Sequence, residues 1–555
     1  MRPGVSQVAL ALGFFVLLIG CDSPARVKPW RHAPDPTSEA ARAPSSPALA
    51  DVSTEAELRA ARGHTLRIHV DAEPGRLNPL LSPTVWGRRI TLGTVFEPLI
   101  RYLPPDKPGD PGRYAPRLAR SWRIQASGLE IRIELEPGVK FHNGQALTTS
   151  DVQFTLDAIR DPRRRVDHLR PLLEDVEATE LLTPTIMNIR LKRPSGWVLR
   201  ALAEIPIMPM HIYDGSLAAG GALIGSGPWK VASTKGNTIH LTRFDKYWGG
   251  PAKIADIEFV HERDAAVALK DAKRGDYDII PALIPKHWPD QATAPGIAAT
   301  FRPLQLAPLK LRYLAFNTTK HGLDDPRVRH ALGLLFYRSE IAKHIFKGLA
   351  RPALWPIWPG GFIHGAETAA PDLEPVSLGK LLDAAGWGDS DKDGIRDKAG
   401  VQLRLTMIGA EATKVAADTV RKGPQTVRDF FVEAARRNGV IIEVKAGGDV
   451  TGRVDEGKYD LVEMSWNGMV DADPSKWLRG FSPRIDRTLD AMAAAWDQAE
   501  RMKLARELTD GLNEAWPIAG IVADAPQGLI HVRVKNVRQW DGWIDLTQLE
   551  LDDKH

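Results

Sequence analysis

Residues Leu118–Leu156 read LARSWRIQASGLEIRIELEPGVKFHNGQALTTSDVQFTL, and the succession of patterns in them sets the kind of fold. Leu129, Ile131, Ile133 and Leu135 alternate with charged residues, the two-residue period of a strand with one buried face. Ser127-Gly128 turns into that strand and Pro137-Gly138 turns out of it. Asn143-Gly144 marks a hairpin, with His142 expected exposed at the turn. Thr148 with Asp151 three residues on is a capping box, which predicts a helix through Ile159.

The same mixture continues in both directions. Thr65–Val70 alternates as a strand, and an apolar helical run is expected between Trp86 and Phe96. Val328, Leu332, Leu335 and Phe336 recur at helical spacing behind the start signal Asp325-Pro326, and Ser339 is positioned to cap a second helix that stops at Gly348. Met502, Ala505, Leu508 and Leu512 form the apolar stripe of a helix over Ala499–Ala515, ended by Trp516-Pro517. Tyr459–Trp477, YDLVEMSWNGMVDADPSKW, opens as a strand with Val462, Met464 and Trp466 on one face. It then becomes a loop carrying Trp466, Asn467, Asp471 and Asp473. An indole beside an amide and carboxylates is the composition of a ligand cleft. The plain alternative is a turn into a helix, with Asp473 as its cap and Pro474 in its first position. Strands alternating with helices through both halves of the chain define an α/β protein with mixed sheets.

The 555 residues suffice for two or three domains, and 43% hydrophobic with 26% charged residues is ordinary for a globular protein. A formal charge of +4 on this length gives no argument for nucleic acid. Cys21 is the one cysteine, so no internal disulfide forms. Val8–Ile19 is an unbroken apolar and small-residue run behind Arg2, too short to span a bilayer and of the length of a signal-peptide core. Leu18-Ile19-Gly20-Cys21 resembles a bacterial lipobox, which implies cleavage before Cys21 and its lipidation. Asp22 resembles an inner-membrane retention signal. Residues 22–62, with Pro24, Pro29, Pro34, Pro36, Pro44 and Pro47, bury too little to fold and read as a tether. Enzyme motifs are missing: His261-Glu262 has no second histidine at helical spacing, and there is no G-x-S-x-G, P-loop, C-x-x-C or cysteine nucleophile.

The opening stretch is similar to the signature block of the family 5 extracellular solute-binding proteins, the peptide and nickel binding subunits of ABC importers. Further landmarks resemble that family in its order: Ile224–Trp229 (IGSGPW), Tyr247–Lys253 (YWGGPAK), Gly275–Asp278 (GDYD), Tyr313–Thr319 (YLAFNTT), Asp325–Leu332 (DPRVRHAL) and Ala385–Trp387 (AGW). The resemblance spans about residues 65–540. It implies a two-lobed periplasmic-binding-protein fold with a hinge. Lobe 1 is expected from 63–95, 223–315 and 521–555, with an extra subdomain at 96–222. Lobe 2 is expected from 316–520, with crossovers near Phe316 and Ile518. It further implies a monomeric, extracytoplasmic protein that captures a peptide or peptide-like solute and delivers it to permease subunits, without catalysis. The alternatives are a non-peptide solute (a metal chelate, an oligosaccharide or an opine-like conjugate) and a ligand sensor or periplasmic chaperone on the same fold.

Trp466, Asn467 and Asp471 are the first ligand candidates. In peptide-binding members an aspartate three residues after the tryptophan holds the peptide amine. Met469 occupies that place here, and Asp471 lies two further on. Trp86 follows a segment that faces the cleft in the family, and Trp358 lies in the proline-framed loop Trp355-Pro-Ile-Trp358-Pro-Gly. For both, core packing is an equal expectation. Arg484 is expected on the surface. Asp389, Asp391, Asp393 and Asp397 have the spacing of a calcium loop, but Gly400 stands where an EF-hand places its bidentate glutamate. A plain turn is the favoured reading, a structural Ca²⁺ the lesser one, and no other cofactor is expected.

Overall fold

The computed structural model describes residues 64–82, 84–103, 113–217, 223–306, 310–355, 375–409, 426–446, 450–467, 473–524, 527–540 and 543–552. Two large mixed sheets organise them. The first runs Phe301–Gln305, Gln527–His531, Ile279–Ile280, Thr65–Val70, Asp256–His261, Thr238–Arg243 and Trp229–Lys235 in spatial order. The second runs Ala350–Pro352, Ile518–Asp524, Lys310–Phe316, Leu461–Asn467, Arg404–Gly409 and Ile441–Ala446. Each has its own apolar core.

The middle strands are buried on both faces, so strict alternation fails in them. Thr65–Val70 buries His69 along with Leu66, Ile68 and Val70, and the strand Leu461–Asn467 buries Leu461 as well as Val462 and Met464. The strand pattern is cleaner in the four-stranded sheet of the subdomain, ordered Ala119–Ile124, Glu130–Leu135, Ile186–Leu191 and Val176–Thr183. There Ile131, Ile133 and Leu135 are buried. Leu129 is a correction: it precedes the strand and is 41% exposed. The capping box forms as expected, with Asp151 Oδ2 accepting the Thr148 N–H at 2.9 Å, and the helix spans Thr149–Arg160.

Helix boundaries follow their caps. Thr84 accepts from the Gly87 N–H at 3.0 Å and starts the helix Val85–Thr91. Asp325 accepts from the Arg327 N–H at 2.9 Å, with Pro326 opening the helix Pro326–Leu334. Asp497 accepts from the Glu500 N–H at 2.9 Å, and the helix Gln498–Ala515 ends at Trp516 in left-handed geometry, φ 42°. Arg329 caps that end by donating to the carbonyls of Ala515 and Trp516. Ser339 corrects an expectation: it lies inside the turn Arg338–Glu340, which Tyr337 opens at φ 41° and the π-helical turn Ile341–Ile345 continues.

The crossovers between lobes also move from their expected places. Lys310–Phe316 pairs with both Leu461–Asn467 and Ile518–Asp524, so all three strands belong wholly to the second sheet. The chain therefore passes between lobes after Gln305 and before Lys310, and again after Asp524 and before Gln527. Residues 310–315 and 521–524 belong to lobe 2. The sequence alone hides this, because a strand entering a sheet looks the same on either side of a hinge.

Candidate functional site between the lobes

Two of the family-like motifs, Ile224–Trp229 and Tyr247–Lys253, meet around a buried carboxylate. Glu97 is fully buried and accepts from Arg117 Nε at 2.7 Å, Tyr247 Oη at 2.7 Å, Ser226 Oγ at 2.9 Å and Trp248 Nε1 at 3.0 Å. Burial and Glu97 together push the Tyr247 hydroxyl well above its usual range. The glycines of Gly225-Ser-Gly-Pro are demanded by close approach. A Cβ at Gly225 would meet the Val95 carbonyl at 1.9 Å, and one at Gly227 the Thr94 carbonyl at 2.1 Å. His142 joins this junction and is buried, correcting the expectation of exposure. Its Nδ1 accepts the Gly225 N–H at 3.2 Å, so Nε2 carries the proton that it donates to the Gly227 carbonyl at 2.9 Å. Burial lowers its pKa to about 4. Ser226, Tyr247, Trp248 and His142 thus fasten the subdomain to lobe 1.

The hinge-side edge of lobe 2 is set by strand register. Asn467 lies opposite Lys310, Trp466 opposite Leu311, and Lys310 is also opposite Asp524. The backbones of Trp466 and Asn467 therefore sit at the end of the second sheet where both crossovers enter. Asp471 and Trp358 fall outside the described residues. Asp473 accepts the Ser475 N–H at 2.8 Å and its hydroxyl at 2.7 Å, opening the short helix Ser475–Leu478. Asp473 also adds to the field that raises Arg193 of the subdomain, although Asp175, at 2.7 Å, is the main partner.

The hinge-side end of lobe 1 faces this edge. Thr65–Val70 and Phe301–Gln305 finish at the same end of the first sheet, which the Gln527 strand re-enters. Asp71 follows directly and accepts from Trp86 Nε1 at 2.6 Å. Trp86 is only 4% exposed and meets Trp543 edge to face with centroids 5.4 Å apart, so it is a packed wall of this end rather than an open surface. Arg89 packs into the corner of the two indoles. A cavity of about 560 Å³ bridges the lobes, lined by Pro289 on one side and Ser339, Ala342, Lys343, Lys347, Gly348 and Pro352 on the other.

The lobes touch a second time, through the subdomain. The Gly196 N–H donates to the Ala493 carbonyl at 2.8 Å, and the Arg501 guanidinium lies 4.2 Å from the Trp197 ring centroid. This contact escaped the sequence reading because its residues are ordinary helix and turn residues, far apart in the chain. Arg484 is half-exposed and pairs with Glu514, as expected of a surface arginine.

The aspartate loop divides. Asp389, Asp391 and Asp393 hold carboxylate oxygens within 4.8 Å of one another and are exposed. Asp397 leaves the group and accepts the Ser390 N–H and hydroxyl at 2.8 Å, bonds that hold it below the usual carboxylate range. Asp391 accepts the Asp393 N–H and Asp393 the Ile395 N–H, so the loop uses its own carboxylates to turn.

Two sheets with separate cores, joined by paired crossovers and faced by aromatic and charged groups, define a two-lobed solute-binding protein. Residues 113–484 match the bacterial extracellular solute-binding proteins, family 5 (middle region), and the chain belongs to that family. The chain is 24% identical over 441 residues to the glutathione-binding protein GsiB of Pectobacterium atrosepticum, covering 76% of this chain and 82% of the relative. It is 26% identical over 453 residues to di/tripeptide-binding protein 2 of Pseudomonas aeruginosa, covering 75% and 79%. Among solved structures, NikA from Brucella suis in complex with Fe(III)-EDTA superposes with TM-score 0.72 at 21% identity, covering 88% of this chain and 100% of that one. HbpA2 from Haemophilus parasuis gives 0.73 at 18%, with the same coverage. At those identities the likeness establishes the fold. No helix among the described residues is long and apolar enough to cross a membrane.

Proposed function

We propose that this chain is the solute-capturing subunit of an ABC importer. It holds a peptide or peptide-like solute between its lobes and hands it to the permease. The observation that carries this reading is the architecture: two cores linked by paired crossovers, with sheet ends fronting each other across the hinge. Ligand contacts from both lobes exist only when they close, so binding and closure are one equilibrium. Moving that equilibrium from 1:99 to 99:1 requires about 5.5 kcal/mol of differential binding, within reach of a few buried stacks and charge-assisted hydrogen bonds. The relatives' names, glutathione-binding and di/tripeptide-binding, favour a peptide-like solute. The lipobox-like Leu18–Cys21 and the proline-rich stretch to residue 62 support a lipid-anchored, extracytoplasmic body on a tether, its acyl chains each contributing about 0.8 kcal/mol per buried methylene.

A second reading rests on Met469. It stands where peptide-binding members carry the amine-holding aspartate, which favours a solute whose amine is masked or absent. Thermal-shift and calorimetric screening of short peptides, glutathione, sugars and nickel chelates tests both. A ligand at 100 times its Kd adds about 2.7 kcal/mol of stability. A free-amine peptide that binds, and loses affinity in Asp471→Ala, supports the peptide reading with Asp471 as the amine's partner. Silence toward peptides with a chelate or conjugate positive supports the second.

A further inference from the structure

Arg89 is a cation surrounded by indoles and given no acceptor. Its guanidinium carbon lies 4.3 Å from the Trp543 ring centroid and 5.0 Å from that of Trp86, in the corner of two rings inclined at 82°. Indole faces attract positive charge but accept no conventional hydrogen bond, and a guanidinium has five N–H donors to satisfy. No ion pair or hydrogen bond involves Arg89 among the described residues. The carboxylate whose field reaches Arg89 is itself engaged: Asp71 Oδ1 takes the Trp86 indole N–H. Burial lowers the Arg89 pKa to about 10, and the field of Asp71 offsets only part of that. The adjacent Arg88 behaves differently, donating to the Glu204 carbonyl at 3.1 Å.

The position of this corner gives the half-buried cation its meaning. Asp71 extends the strand Thr65–Val70 beyond the hinge end of the first sheet. Trp543 belongs to the hairpin Gln539–Trp540/Trp543–Ile544, whose Gln539 Nε2 donates to the Gln305 carbonyl at 2.5 Å, at the last strand residue before the crossover. Arg89 is therefore held on the face of lobe 1 that fronts lobe 2. A half-buried guanidinium pinned by two aromatic rings, with no side-chain or backbone acceptor among the described residues, is pre-organised for a planar oxyanion, because its own ordering cost is met by the fold.

We propose that Arg89 is the anion anchor of the cleft and takes a carboxylate of the captured solute, with Trp86 and Trp543 holding the guanidinium in place. The proposal rests on the solute-binding reading above and names a chemical requirement of the solute. Charge-assisted hydrogen bonds of this kind correspond to about a ten- to hundred-fold change in Kd.

The test is isothermal titration of the full chain with trialanine and its C-terminal amide, and with glutathione and its diethyl ester. The expected result is that an acid form binds and its neutral partner binds at least tenfold more weakly. Arg89→Met should remove most of the difference in affinity between the acid and its neutral form, through a loss that falls mainly on the acid. Should Arg89→Met fail to fold, as judged by near-ultraviolet circular dichroism, Arg89→Gln carries the same comparison. Equal binding of acid and neutral forms, or unchanged acid binding in the Arg89 variant, overturns the anchor and leaves solute capture standing. In that event Arg89 only staples the helix Val85–Thr91 to the C-terminal hairpin. No binding of any of the four by the wild type overturns the peptide-like reading, and the anchor as stated falls with it.

Discussion

Replacing Glu97 by alanine should destabilise the first lobe far more than its position outside the cleft suggests. The carboxylate is fully buried, and Arg117, its charged partner at 2.7 Å, has a side chain only 15% exposed. Removing one member of such a pair leaves a buried charge uncompensated and costs about 3–5 kcal/mol. The hydroxyls of Ser226 and Tyr247 and the indole N–H of Trp248 lose their acceptor as well. Glu97→Gln keeps one acceptor oxygen but turns an amide N–H₂ toward donors, and should cost about 2 kcal/mol. Urea denaturation followed by tryptophan fluorescence gives the totals. Hydrogen exchange should show the loosening at residues 94–99, 117–119 and 225–250, with the second sheet unaffected. Coupling Glu97→Leu with Arg117→Met should restore part of the loss, because an apolar pair has no charge to strand. A Glu97→Ala protein within about 1 kcal/mol of wild type would refute the claim that this junction holds the subdomain to lobe 1.

Acidification should weaken the same junction. His142 is held neutral with a pKa of about 4, below the ordinary 6.5, so the unfolded chain binds more protons between those values. Its contribution is complete above about pH 6.5 and is lost as pH falls toward 4, the loss reaching roughly 2 kcal/mol by pH 5. The urea midpoint at pH 7 and pH 5 should therefore differ less in His142→Gln than in wild type. Arg501→Ala should loosen the second contact between lobes, where the guanidinium lies 4.2 Å from the Trp197 ring centroid. A cation–π contact of about 0.5–2 kcal/mol corresponds to a roughly 2- to 30-fold loss in solute affinity by calorimetry, and unchanged affinity would show that this contact is indifferent to capture.

The fold was legible where local pattern and tertiary role agree. Ile131, Ile133 and Leu135, the Thr148–Asp151 box and the Asp325-Pro326 start all announce themselves in a few residues. Leu129 and Ser339 did not follow their patterns, because a strand end and a π-turn are decided by neighbours distant in the chain. His142 was misplaced for the same reason: nothing near Asn143-Gly144 tells that Gly225 and Gly227 close over it. The order of the motifs pointed to the family, yet Ser226, Tyr247 and Trp248 in two of them turned out to be joints. Ser226, Tyr247 and Trp248 all donate to Glu97. A site between lobes is assembled from chain ends that no window of sequence contains. Arg89 gained its interest only when Trp543, more than four hundred residues away in the chain, was found beside it.

Solute capture by lobe closure must change the distance between the lobes. Lys192 on the subdomain and Ala494 on lobe 2 are both exposed and flank the Gly196–Ala493 contact. With Cys21 replaced by serine, cysteines at these two positions can carry a donor and an acceptor dye. Without solute the distance distribution should be broad or long, and a binding solute from the screen should collapse it saturably to one short distance, with a midpoint equal to the calorimetric Kd. A solute that binds calorimetrically while this distance stays unchanged would contradict capture by lobe closure.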